Sequence, residues 1–173
     1  MASSKRPAFA EARLQNQPDG EVCARPERLV GIGFRRGLAA LDTRDIANWQ
    51  FAWQEFANVA GPDHATVLVA ELSLWCRTVR KCAGRRIETY PAGCPGFCRD
   101  ECLAISMIAA SQQSVCPALR ACAFALLGSS ELDEPLKAAA RFGRGLTAAG
   151  QVLSLTSVCD GLAAMPAASQ RPS

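Results

Sequence analysis

Histidine is nearly missing from this chain, with a single copy, His64, in 173 residues. A His-rich metal site or a catalytic pair built on two histidines is therefore excluded. His64 itself follows Pro62 at what reads as a helix start, where a lone imidazole is a surface or capping group more often than a base. No Cys-x-x-Cys pair occurs, so the commonest zinc knuckle and the thioredoxin-type motif are both absent. Long apolar runs are missing as well. The longest near-apolar stretch, residues 102–110, is about half of the ~20 residues needed to cross a bilayer, and no membrane association is expected. The first residues, from Met1 to Arg13, contain Lys5 and Arg6 but no apolar core of signal-peptide length, so the expected location is cytoplasmic, with reduced thiols.

Residues that favour strands are scarce, whereas alanine occurs 31 times. That balance leans toward helix. Hydrophobic residues make up 49% of the chain and charged residues 20%, the proportions of a folded globular protein. The net charge of +3 is modest and does not favour nucleic acid as a partner.

The expected fold is all-α, one compact domain of five or six helices spanning residues 28–165. A flexible arm (1–27) would precede it and a flexible tail (166–173) would follow. One short strand is available at residues 29–34, Leu-Val-Gly-Ile-Gly-Phe. Ile46, Trp49, Trp53, Phe56 and Ala60 then recur at helical spacing, with Asp42 or Thr43 as cap and Gly61 as stop. Pro62 opens a second helix whose stripe is Leu68, Leu72, Trp75, Val79 and Cys82. Pro91, Gly93, Pro95 and Gly96 make residues 84–99 a loop. Asp100 can cap a third helix that is apolar nearly all round from Leu103 to Ala110, and hence central. Pro117 to Gly128 reads as a fourth helix. A fifth has Ser130 and Asp133 near its start and Leu136, Ala140, Gly143 and Leu146 on its face. Val152, Leu155, Cys159 and Leu162 form a last stripe.

Seven of the nine cysteines lie between Cys76 and Cys122. Cys82, Cys122 and Cys159 fall on apolar stripes and read as core. Cys94, Cys98 and Cys102, spaced by four, are the candidate metal ligands, with Cys116 as a fourth. Zinc, copper(I) or an iron–sulfur cluster would each accept such thiolates. Cys98 and Cys102 also flank a helix start, where backbone N–H groups and Arg99 favour a thiolate while Asp100 and Glu101 oppose it.

Arg77, Arg80 and Lys81 lie opposite the apolar stripe of their helix and are the candidate contacts for a protein partner. Gly31, Gly33 and Gly37 do not make a dinucleotide fingerprint, because Arg36 stands where its last glycine belongs. With no hydrolase, kinase or transferase signature, the chain reads as a small soluble accessory or regulatory protein that acts by protein–protein interaction rather than as an enzyme. The alternative is a thiolate metal-binding or redox-switch protein built on Cys94, Cys98 and Cys102.

Overall fold

A computed structural model describes residues 25–154 and residue 156. They form six helices: α1 (Arg25–Thr43), α2 (Ile46–Ala60), α3 (Pro62–Cys82), α4 (Arg99–Gln112), α5 (Cys116–Leu127) and α6 (Asp133–Ala148). The all-α reading holds, and the strand offered at 29–34 does not exist. Those residues lie inside α1, where Leu29, Val30, Phe34 and Leu38 are buried on one helical face. A run of six apolar and glycine residues has no period of its own, so helix and strand could not be separated there until the neighbouring helices supplied a face to pack on. Residues 25–27, expected in the arm, make the first turn of that helix, and the Glu27 carboxylate accepts the Ser154 N–H at 2.7 Å. Residues 1–24 of the arm, the tail, and Leu155, Cys159 and Leu162 of the last stripe lie outside the described residues.

The helix ends follow capping chemistry, though not always at the expected residue. Thr43 returns its hydroxyl to the Ala39 carbonyl at 2.8 Å and so closes α1. Asp45, not Asp42 or Thr43, then caps α2 by accepting the Ala47 N–H at 2.9 Å. Gly61, at φ 85°, turns the chain directly into Pro62 at the start of α3. Gly128, left-handed at φ 60°, ends α5. At α4 the cap is Cys98, and Asp100 sits inside the first turn; at α6 it is Leu132 rather than Ser130.

The expected stripe of α3 is buried throughout. Trp75 lies between Phe34 of α1, at 5.1 Å between ring centroids, and Phe142 of α6, at 5.7 Å, with Phe56 of α2 edge-on to Phe142. Four helices thus share one aromatic cluster. On α6 the buried face runs through Ala138, Ala139, Phe142, Gly143 and Leu146, leaving Leu136 and Ala140 at its edge, because the large Phe142 ring sets the orientation of that helix. α4 is central: every residue from Leu103 to Ala110 is buried, and the helix packs against α1, α5 and α6. The chain after α6 is tied back to it through Gln112, whose side chain bonds both the Gln151 carbonyl and the Leu153 N–H, each at 2.9 Å.

The glycines of α1 are packing positions. A methyl group on Gly37 would lie 2.6 Å from the buried Cys76 sulfur and 3.2 Å from the Trp49 ring, and one on Gly33 would press on Leu72 and Phe56. In an open helix, Gly to Ala gains about 1 kcal/mol from propensity. For Gly37→Ala we expect the opposite sign, a net loss of about 1–3 kcal/mol from overpacking. Combining it with Cys76→Ala, which vacates the space, should make the two changes less than additive. Urea unfolding of the four-member cycle measures both the sign and the coupling.

Candidate functional site

Residues 83–98 join α3 to α4 without regular structure. A segment with two prolines and three glycines has little tendency to hold one shape, yet this one is fixed from both sides. Its entrance is tight: Gly84 donates to the Leu127 carbonyl at 2.9 Å, and a Cβ on Gly84 would meet the Gly128 carbonyl oxygen at 2.7 Å.

Arg35 of α1 provides the first anchor. Its side chain is 5% exposed and meets the fully buried Glu101 of α4 in a two-pronged pair, Nε to Oε1 at 2.6 Å and Nη2 to Oε2 at 3.1 Å. The remaining N–H groups turn to the loop: Nη1 donates to the Cys94 carbonyl at 2.9 Å and Nη2 to the Gly96 carbonyl at 2.6 Å. Glu101 takes the loop from the other side, accepting the N–H of Cys98 at 2.8 Å and that of Tyr90 at 3.3 Å. The Cys98 bond is half of a capping box at the start of α4. The Phe97 ring lies 5.3 Å from the guanidinium carbon of Arg35 and packs where a Gly31 side chain would be, with ring atoms 2.4 Å from that Cβ position. Bonding to Glu101 raises the Arg35 pKa against the opposing effect of burial, so this residue is always charged.

The second anchor pairs Arg85 with Asp100, Nη1 to Oδ2 at 2.8 Å and Nη2 to Oδ1 at 2.6 Å. Asp100 also accepts the Glu88 N–H at 2.9 Å, and Arg85 donates to the Ala125 carbonyl of α5 at 3.1 Å. Burial alone would raise the Asp100 pKa. The bond to Arg85, the Glu88 N–H and the charges of Arg85 and Arg99 outweigh it and hold the carboxyl below its ordinary range.

Between this loop and the C-terminal ends of α1 and α3 lies an open cleft of about 700 Å³, lined by Asp42, Arg80, Arg86, Ile87, Glu88, Thr89, Tyr90 and Cys98. Tyr90 is 44% exposed. Arg80 is paired with Asp42, whereas Arg86 makes no side-chain ion pair among the described residues.

The expected site residues part company here. Cys94, Cys98 and Cys102 lie on the loop and the start of α4, each half-buried. Cys98 donates its thiol to the Glu88 carbonyl at 3.2 Å, and Cys102 turns toward the Phe97 carbonyl at 3.9 Å. Cys116 opens α5, beyond the far end of α4, so the length of that helix, about 20 Å, separates it from Cys98 and it cannot complete their coordination shell. Among the described residues no three His, Cys, Asp or Glu side chains are grouped so as to hold a metal ion. Burial, aided by the Glu101 charge, raises the Cys98 pKa despite the N–H groups of the α4 N-terminus, which leaves the protonated thiol at neutral pH. Burial likewise pushes Cys122 up to about 11, and Cys76 and Cys82 upward.

Arg77, Arg80 and Lys81 are all exposed, but they do not form one patch. Arg80 turns to the cleft and Asp42, and Lys81 pairs with Glu134 of α6 at 3.0 Å. Arg77 has no ion pair among the described residues. Sequence reasoning missed Arg35 altogether. Arg85 and Arg86 only continue, in sequence, the basic residues Arg77, Arg80 and Lys81, and Tyr90, the one tyrosine, gives no signal beyond its rarity. No family model, curated protein or solved structure matches the chain.

Two outcomes follow from the anchors. Arg35→Met strands a buried carboxylate and should cost about 3–5 kcal/mol, whereas Arg35→Met with Glu101→Leu should recover most of the loss. Denaturant unfolding reads the stability, and hydrogen exchange at the Tyr90 and Cys98 amides reads the loop. Asp100, with its pKa depressed in the folded state, contributes stability that is complete above the unfolded value of about 3.9 and is lost as pH falls through the folded value. The wild type should therefore lose stability on acidification below about pH 4 more steeply than Asp100→Asn. Equal slopes for the two proteins, in urea midpoints followed from pH 6 downward, would refute this role for Asp100.

Proposed function

We propose that this chain is a non-catalytic binding protein that recognises a protein partner through the cleft beneath the loop of residues 83–98. The observation that carries the reading is the anchoring of that loop. Two Arg–carboxylate pairs and at least six further hydrogen bonds hold a glycine- and proline-rich segment in one shape. A preformed recognition surface binds without first having to be ordered, which favours affinity. The cleft offers what protein interfaces use most, an exposed tyrosine beside an unpaired arginine.

The cleft brings no histidine to its two carboxylates, Asp42 and Glu88. His64 lies at the start of α3, away from the cleft, and the protonated thiol of Cys98 is engaged with the Glu88 carbonyl. The alternative, a thiolate metal centre or redox pair on Cys94, Cys98 and Cys102, has less support, since Cys98 is held as a neutral helix cap.

The test is a quantitative comparison of the proteins captured from a source lysate by the wild type, by Tyr90→Ala and by Arg86→Glu, each checked for an unchanged unfolding midpoint. A partner bound at the cleft should be recovered about tenfold less by each variant, the scale expected of an interface anchor. Identical captured sets would sink the cleft as the recognition surface.

A further inference from the structure

The outward face of α3 carries a second surface that the cleft does not use. Asp63, Val67, Ala70, Leu74 and Arg77 follow one another at spacings of four, three, four and three residues, the repeat of a helix–helix seam, and all five are exposed. Val67 is 57% and Leu74 38% exposed, which is high for branched aliphatic side chains near the middle of a helix. The neighbouring helix widens the strip. Trp53 of α2 donates its indole N–H to the Thr66 hydroxyl of α3 at 3.3 Å, which fixes that ring beside the seam. Ile46, two turns before Trp53 on the same face of α2, is 69% exposed.

Charge along this strip is placed only at its ends. Asp63 stands in the first turn of α3 and Arg77 fourteen residues later, about 21 Å along the axis, with Ala70 midway between them. Neither has an ion-pair partner among the described residues. Helix α2 carries no lysine or arginine, and its one charged residue, Glu55, is half-buried. An uncharged, apolar strip with an acid at one end and a base at the other is complementary to itself when a second copy runs in the opposite direction.

We propose that α3 is a homodimer interface, in which two copies of this chain pack their α3 helices antiparallel about a twofold axis through Ala70. Residue i of one copy then meets residue 140 minus i of the other. Asp63 of each copy faces Arg77 of the second, Leu74 faces Thr66, and Ala70 crosses Ala70 with only two methyl groups at the closest approach. A parallel arrangement would set Asp63 against Asp63 and Arg77 against Arg77, so charge selects the antiparallel one. Antiparallel helix dipoles favour it too. The role is independent of the cleft, which α3 borders only through Arg80 in its last turn.

Sedimentation equilibrium of the full chain over about 1 μM to about 1 mM, the range of weak to moderate protein pairs, tests the interface directly. The expected result is a dimer of twice the 18.4 kDa chain mass. Leu74→Glu should abolish the dimer. Ala70→Arg, at an exposed position with no packing to lose, should do the same and guards against a folding defect in the first variant. Asp63→Arg and Arg77→Glu should each raise the dimer Kd about tenfold, because each replaces two attractive pairs by two repulsive ones. The double charge swap should return it close to the wild-type value, while Arg86→Glu in the cleft leaves it unchanged. A monomer throughout, a dimer indifferent to Leu74→Glu and Ala70→Arg, or a double swap no better than either single variant would each overturn the proposal.

Discussion

The buried pair between Arg35 and Glu101 is the constraint on which the rest of the loop architecture depends. Glu101 stands in the first turn of the most buried of the described helices, and a carboxylate with no exposure survives there only because a guanidinium meets it along both edges. Arg35 is buried in turn only because every direction in which it donates is met, two by Glu101 and three by the carbonyls of Pro91, Cys94 and Gly96. Such a pair contributes little net stability over apolar residues of the same volume. What it provides is selection: the loop has to run where its carbonyls and N–H groups complete the network, since any other path leaves a buried charge short of partners.

The small residues and the thiols around the pair take their roles from it. Phe97 can lie beside the Arg35 guanidinium because Gly31 has no side chain in that space. Cys98 is placed at the N-cap because its N–H is needed by Glu101, which sets its sulfur near the Glu88 carbonyl and away from any common centre with Cys94 and Cys102. Its raised pKa has the same origin, since burial and the neighbouring carboxylate act together against ionisation. Four-residue spacing of cysteines is compatible with a metal site, but here one thiol is taken up by capping and another by contact with the backbone of Phe97.

The helices were legible where an apolar stripe and its punctuation coincide. The α2–Gly61–Pro62–α3 hairpin needs only spacing and two turn residues, and the burial of Leu68, Leu72, Trp75, Val79 and Cys82 follows the stripe read from the sequence. The central position of α4 was legible because a segment apolar on all sides has to be surrounded. Residues 29–34 were ambiguous because glycine interrupts the period. The anchors of the loop were not legible, for a different reason. Arg35 and Glu101 are 66 residues apart, and Glu101 beside Asp100 at a helix start is already explained by the helix dipole. Nothing local distinguishes Arg35 from the other arginines of the sequence, so the pairing exists only once α1 and α4 are packed.

The basic run on α3 shows the same limit at the surface. Sequence phase correctly turned Arg77, Arg80 and Lys81 to solvent, but a shared exposure is not a shared surface. Successive exposed positions on a helix are separated by 60–100°, enough for Arg80 to reach Asp42 across one flank while Lys81 reaches Glu134 across the other. Arg77, between them, points away from both neighbouring helices and is left to whatever meets the outer face. The neutralised pair at Asp42 and Arg80 borders a rigid loop, whereas Arg77 closes an apolar strip on a regular helix. One helix therefore serves two surfaces of different chemistry, and what divides them is which acidic residues α1 and α6 bring within reach.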